Sequence, residues 1–84
     1  TQLREQLVHP DDLPAMKNLL SAHLSNQTPL YECEARMRTR SGGWLWILDR
    51  GRVVSRDREG NPLRMVGTHL DITERKQAEE ALQQ

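Results

Sequence analysis

The chain has 84 residues, 36% hydrophobic and 4% aromatic, so it can form one small domain with a thin core that would benefit from a partner surface. Its 12 basic and 12 acidic residues cancel, which argues against a chain that binds nucleic acid through overall positive charge. Cys33, the single cysteine, excludes an internal disulfide framework, and with no secretory pattern and no apolar run of about 18 residues we expect a cytoplasmic segment without membrane insertion.

The N-terminal third of the chain is predicted to be helical. Residues 1–8 are compatible with a short helical turn, and residues 10–12, one proline and two aspartates, suit the first turn of a following helix. That helix is predicted to end at about Ser25. Its single apolar stripe, with spacings of three, four and four, consists of Leu13, Met16, Leu20 and Leu24.

The period of the sequence then changes from helical to strand-like. Residues 31–40 alternate between small or apolar and charged side chains, which indicates a half-buried antiparallel strand. The Ser-Gly-Gly sequence at 41–43 predicts a tight turn. Residues 44–56 form a second predicted strand, apolar on both faces in its first half, which should be more central than the first.

The last third of the chain predicts one more strand and a helix. A turn is expected at 57–62, followed by a strand over 63–72 that carries apolar residues on both faces. Thr73 is a good N-cap for a polar helix over 74–82. A helix this short is marginal alone in water, so it is interpreted as the start of a longer helix or coiled coil.

Four motifs in this order resemble the PAS family, specifically the C-terminal PAC portion of a sensory-box protein. They are His9-Pro10-Asp11-Asp12, Gly43-Trp44-Leu45-Trp46, Asp57-Arg58-Glu59-Gly60, and Asp71-Ile72-Thr73-Glu74-Arg75-Lys76 followed by Ala78-Glu79 and Leu82. In the family's order they match the last helix of the helical layer, the final three strands and the signalling helix.

The resemblance implies an α+β fold, in which a three-strand antiparallel meander carries one packed helix and a C-terminal signalling helix. Residues 1–73 would be a partial sensory domain, and residues 74–84 the start of the linker helix. The two strands that open a complete PAS sheet would be absent, which leaves the strand at 63–72 with an open edge. Because such an edge invites pairing with another chain, we expect a homodimer through this edge, the exit helix, or both.

The resemblance further implies a sensory module without enzymatic activity of its own. It would couple ligand binding or dimer rearrangement to an effector further along the chain, such as a histidine kinase or a diguanylate cyclase of a bacterial two-component system. Residues Asp71, Ile72, Thr73 and Glu74 would form the hinge that transmits the signal. Simple helix capping is the alternative reading of these residues.

A ligand cavity in this family lies between the helices and the inner face of the sheet. An unidentified small molecule could occupy it, although an ordinary packed core is the favoured interpretation of the same residues. The candidate lining residues are Met16, Leu20, Leu24, Cys33, Ala35, Met37, Leu45 and Ile47.

No cofactor or metal is expected. His23 lies near the end of the helix that supplies the axial ligand in haem-binding members, but it is a single candidate. Cys33 lies on a strand, whereas the flavin-binding light sensors use a cysteine on an earlier helix. The three histidines and the cysteine show no metal-ligand spacing.

Two other functions stay open at this point. Residues 35–64 carry eight arginines and three acidic residues, a local excess of five positive charges. With Trp44 and Trp46 these strands could hold single-stranded nucleic acid, although a solvated outer face with pairs to Glu32, Glu34 and Asp49 is favoured. The second alternative is a structural dimerisation module without a ligand.

Overall fold

The computed structural model describes residues 7–83, which form a three-stranded antiparallel sheet and two helices. The predicted turn at residues 1–8 falls almost entirely outside the described residues. In chain order the elements are α1 (Leu13–Leu24), β1 (Tyr31–Arg38), β2 (Trp44–Arg56), β3 (Pro62–Asp71) and α2 (Thr73–Gln83). The strand order is β1-β2-β3, so the predicted α+β meander is confirmed. Within residues 7–83, no helix has the length and apolar character that crossing a membrane requires.

Helix α1 begins later than predicted, at Leu13, with Pro14 in its first turn. The Asp12 carboxylate does not cap the helix. It accepts hydrogen bonds from Arg36 Nε and Nη2 at 2.9 Å and from the Arg36 backbone N–H at 2.8 Å. A bidentate pair with a guanidinium is stronger than a neutral hydrogen bond or a helix-dipole interaction, so the long-range partner takes this side chain.

Strand β1 shows the predicted alternation, with Tyr31, Cys33 and Ala35 buried and the residues between them turned outward. It ends at Arg38, two residues before the predicted end. The chain turns there because the Thr39 N–H donates to Gly43 O at 2.9 Å, while Gly42 has a φ of 89° that favours glycine.

Strand β2 is the central strand, as predicted, and its pairing with β3 is interrupted by an irregularity between Val53 and Ser55. Strand β3 lies at the edge of the described sheet, and all ten of its residues are exposed. Its Gly67 is directly opposite Gly51. A Cβ atom at Gly67 would lie 2.5 Å from the Arg50 carbonyl oxygen, so the two strands approach too closely there for any side chain.

The core lies on one face of the sheet, beneath α1. Its buried members come from the segment before α1, from α1 and from β1, namely Val8, Met16, Tyr31, Cys33 and Ala35. Leu13, Leu20 and Met37 pack against them. This face is called the inner face below. Since residues on a strand alternate between faces, Glu34 and its neighbours at even positions of β1 lie on the outer face.

Helix α2 lies on the outer face, opposite α1. Its Arg75 and Lys76 contact Glu34 of β1, and the Lys76 ammonium lies 4.8 Å from the centre of the Trp46 ring. The two helices are therefore separated by the sheet, and β3 is the strand that leads into α2.

Candidate functional site

A cavity of about 530 Å³ lies between α1 and the inner face of β2 and β3. Met16 and Leu20 of the predicted set line it, and β3 forms one wall over residues 65–69. The lining residues are Leu13, Met16, Lys17, Leu20, Tyr31, Asp49, Arg50, Gly51, Met65, Val66, Gly67, Thr68 and His69. Its size is that of a small-molecule site.

The other predicted lining residues have different positions. Cys33, Ala35 and Met37 belong to the packed core or lie against it, and Leu24, Leu45 and Ile47 do not line this cavity. The family resemblance placed these residues between the helix and the inner face of the sheet, but β1 packs tightly there. The cavity lies further along the sheet, where Gly51 and Gly67 are among its lining residues. The pairing of these two glycines across β2 and β3 is the feature that the sequence patterns did not reveal.

One wall of the cavity is polar, and its centre is the buried carboxylate of Asp49. Tyr31 donates its hydroxyl hydrogen to Asp49 Oδ2 at 3.1 Å, and His69 Nε2 lies 3.0 Å from Asp49 Oδ1. Asp49 was predicted to pair on the outer face, which is wrong: it is directly opposite Cys33 and so points inward. The cavity thus offers a hydrogen-bonding wall and otherwise mainly apolar surface, a combination that suits a small organic ligand.

His23 is buried and uses both ring nitrogens on the backbone. Its Nδ1 lies 2.9 Å from Thr28 O, and its Nε2 accepts a hydrogen bond from the Val53 N–H at 2.9 Å. Since Nε2 accepts and a carbonyl can only accept, the ring is neutral and carries its proton on Nδ1. In this arrangement His23 joins the end of α1 to β2 and presents no free nitrogen to an iron atom.

Cys33 lies in the core, 6% exposed, and burial raises the pKa of its thiol. A protonated, buried thiol is a weak nucleophile, so its position fits packing rather than covalent chemistry. Among residues 7–83, His, Cys, Asp and Glu side chains form no group of three or more that could hold a metal ion.

The strand-to-helix junction brings together Asp71, Ile72 and Thr73 around Trp46 of β2. Asp71 Oδ1 accepts a hydrogen bond from the Thr73 N–H at 2.9 Å, and the Thr73 hydroxyl oxygen accepts one from the Trp46 N–H at 3.0 Å. The buried Ile72 donates its N–H to Trp46 O at 2.9 Å. Hydrogen bonds from the side chain and backbone of Thr73 lower the pKa of Asp71.

Thr73 was predicted to be the N-cap of α2, but it is the first helical residue. Its hydroxyl oxygen serves the central strand instead of the helix. Glu74 is exposed in the first turn of α2, where a carboxylate complements the helix dipole. The junction also includes Glu34, which was not among the predicted residues. Glu34 forms an ion pair with Lys76 of α2, and these two residues lie too far apart in the sequence for a local pattern to indicate the contact.

Other side chains lie against both tryptophan rings of the outer face, although Trp44 remains 37% exposed. Arg36 and Lys76 lie 5.3 and 4.8 Å from the centre of the Trp46 ring. Arg38 lies 5.2 Å from the centre of the Trp44 ring, and the centre of the His9 ring lies 4.7 Å from the centre of the same Trp44 ring.

Part of the basic charge on this face is also paired, since Arg50 Nε contacts Glu32 Oε2 at 2.9 Å, as predicted. These contacts occupy groups that would otherwise stack on bases or bind phosphates. They therefore weigh against a nucleic-acid-binding sheet.

Comparison with known proteins gives close matches to parts of much longer chains. The chain is 41% identical over 73 residues to hybrid signal transduction histidine kinase A of Dictyostelium discoideum, which covers 84% of this chain and 3% of that protein. It is 37% identical over 75 residues to the uncharacterized protein y4lL of Sinorhizobium fredii, covering 87% of this chain and 9% of the other. The chain thus spans less than a tenth of either curated relative.

A solved structure matches the fold as well as the sequence. The crystal structure of a sensory box histidine kinase/response regulator from Burkholderia thailandensis superimposes with a TM-score of 0.84 and 43% identity, covering 92% of this chain and 57% of that one. The family model described as PAS fold matches residues 2–69. Together with the motifs and the strand-to-helix junction, these matches show that the chain belongs to the PAS fold family.

Proposed function

We propose that this domain is the sensory module of a signal-transduction protein. In this proposal, a change in the inner-face cavity or in the contact between two copies moves β3, and the junction at residues 71–73 passes that movement to α2. The observation that carries the proposal is the continuity of β3, which forms a cavity wall over residues 65–69 and enters the junction at Asp71.

The junction has the contacts that such transmission needs. Thr73 is tied both to Asp71 of β3 and to Trp46 of β2, so a shift of β3 relative to β2 strains these hydrogen bonds. A ligand that binds one arrangement better than the other shifts the population toward it. The start of α2 follows, because Lys76 N–H donates to the carbonyl of the buried Ile72 at 3.0 Å.

The output is proposed from the relatives. Two of them are named as histidine kinases, one hybrid and one with a response regulator, so a histidine kinase following α2 is the favoured effector. A diguanylate cyclase, which none of these relatives is named as, stays the second choice. In this proposal the domain carries out no catalysis itself and works in the cytoplasm. Neither haem, flavin nor a metal is needed for it.

Homodimerisation is proposed as part of the same mechanism. Strand β3 leaves one edge without a neighbour within residues 7–83, and its side chains are exposed on both faces, with Leu63 at 67% and Leu70 at 59%. Such an edge favours pairing with another strand. The same observation supports the second candidate, a dimerisation module that binds no ligand.

The test is a chimera in which this chain replaces the matching segment of the Burkholderia histidine kinase, with autophosphorylation as the readout. We expect Asp71→Asn to change the basal rate several-fold, because the amide binds the Thr73 N–H less strongly than the carboxylate. Asp57→Asn is the matched control. Asp57 also accepts backbone N–H groups, from Glu59 and Asn61 at 2.9 Å, but in the turn at the far end of β3.

Transmission through the junction would be contradicted if the Asp71→Asn chimera had the same autophosphorylation rate as the unsubstituted chimera and the Asp71→Asn domain were equally stable. Light scattering over a concentration series then shows whether the domain dimerises, and the output of the Asp71→Asn chimera separates the two candidates. A dimer whose output does not respond to Asp71→Asn supports the structural module. A monomer at every concentration would contradict the dimer in both candidate functions.

A further inference from the structure

Helix α2 is attached to the sheet almost without apolar burial. None of its described residues is buried, and Leu82 is 88% exposed. Apolar burial is the main force that holds most amphipathic helices against a sheet. Another interaction must therefore keep α2 on the outer face.

That interaction is a cluster of charges around one indole ring, here called the clamp: Glu34, Trp46, Arg75 and Lys76. Lys76 Nζ lies 2.6 Å from Glu34 Oε1, and Arg75 Nη2 donates to Glu34 Oε2. The Lys76 ammonium also lies over the Trp46 ring. The two carboxylate oxygens of Glu34 thus bind two successive residues of α2.

The clamp is strong enough to order the helix but weak enough to open. Its charged side chains remain 23–49% exposed, so water and salt screen their attraction. An exposed ion pair changes an equilibrium by about two- to fivefold. An 11-residue helix without tertiary contacts is itself marginal in water. Docked and undocked forms of α2 are therefore close in free energy.

The clamp is also connected to the opposite face of the sheet. Arg36 lies over the same Trp46 ring, at 5.3 Å, and holds Asp12 immediately before α1 through two side-chain hydrogen bonds. The contacts run from the helix that lines the cavity, around the edge strand β1, to the helix that leaves the domain. A displacement of α1 would therefore change the surroundings of the clamp.

We propose that α2 exchanges between a state docked on the outer face and an undocked state, and that the clamp centred on Glu34 sets the balance between them. Opening the clamp releases α2 beyond its first residue, because Thr73 stays hydrogen-bonded to Trp46, while the sheet and α1 stay folded. The regulatory meaning of this exchange rests on the function proposed above, whereas the exchange itself is a property of the domain alone.

Amide hydrogen exchange of residues 77–83, followed by NMR on the whole chain, tests the proposal. We expect Glu34→Gln to accelerate exchange in α2 about three- to tenfold, since it weakens two ion pairs, and to leave the amides of the β1–β2 ladder unchanged. Glu32→Gln is the matched control: Glu32 lies on the same face of the same strand, but it pairs with Arg50 and not with α2.

Ionic strength supplies a second readout. Raising it from about 0.01 M to about 1 M shortens the Debye length from about 30 to about 3 Å. This should accelerate exchange more in the wild-type α2 than in Glu34→Gln, where only the pairs of Arg75 and Lys76 with Glu79 remain to be screened. Equal α2 exchange in wild type and Glu34→Gln, or an equal effect of Glu32→Gln, would overturn the proposal.

The chimera separates this inference from the proposed function. Faster α2 exchange in Glu34→Gln with unchanged kinase output supports the clamp and counts against signalling through α2. Output that responds to Asp71→Asn, with α2 exchange insensitive to Glu34→Gln and to salt, refutes the clamp and supports the proposed function.

Discussion

His23 gives the sharpest test of the fold, because one buried side chain joins three segments. Replacing it by alanine leaves the Thr28 carbonyl and the Val53 N–H without their partner. An unsatisfied group costs about 1–3 kcal/mol when it is buried, and these two are only partly buried, so we expect His23→Ala to lower the free energy of unfolding by about 2–4 kcal/mol. For a domain of this size, each kcal/mol shifts Tm by about 4–8 °C.

His23→Gln is the matched variant, since its side-chain oxygen can still accept a hydrogen bond in the region of Nε2. It should lose about half as much stability as His23→Ala. Urea unfolding followed by far-ultraviolet circular dichroism measures both. A His23→Ala protein within about 0.5 kcal/mol of wild type would show that these hydrogen bonds contribute nothing, and would leave His23 free for another role.

Acid unfolding tests Asp12, whose pKa is lowered first by its side-chain hydrogen bond with Arg36. Because the folded-state pKa is lowered, ionised Asp12 stabilises the fold above the unfolded pKa of about 3.9, and this stability is lost as pH falls through the folded pKa. Urea unfolding at several pH values should therefore show that the free energy of unfolding falls less steeply with acid in Asp12→Asn than in wild type. An equal fall in the two proteins would contradict the assignment. Gly67→Ala should cost about 1–3 kcal/mol because its Cβ would meet the Arg50 carbonyl oxygen at 2.5 Å, whereas a Cβ at Gly43 would lie 3.6 Å from its nearest neighbour, the Thr39 hydroxyl oxygen. Gly43→Ala should therefore stay close to wild type in thermal unfolding, and equal losses at the two positions would argue against the close approach of β2 and β3.

The elements of this domain could be predicted because their causes are local. The stripe of α1 and the alternation of β1 follow from the two side-chain periods, and Gly42 marks the turn between β1 and β2 by its positive φ. The central position of β2 followed from its apolar first half. The observed bounds of β1, β3 and α2 differ from the prediction by one or two residues.

The cavity was predicted less well than the elements. Met16 and Leu20 line it, but its polar wall depends on which face of β2 carries Asp49 and on the Tyr31 and His69 side chains that reach this carboxylate. Tyr31 and His69 lie 38 residues apart in the sequence. No spacing within a single element indicates that they share one carboxylate.

By itself, the sequence determined the order of helix, three strands and helix, the position of the turns and the strand-to-helix junction, since periodicity, capping and turn chemistry act over a few residues. Only the tertiary structure decided which partner each charged side chain takes. Asp12 could have capped α1, and Glu34 could have paired with a sheet arginine; instead they bind Arg36 and the start of α2. An ion pair depends on distances across the folded sheet, and those distances exist only once the strands are in register.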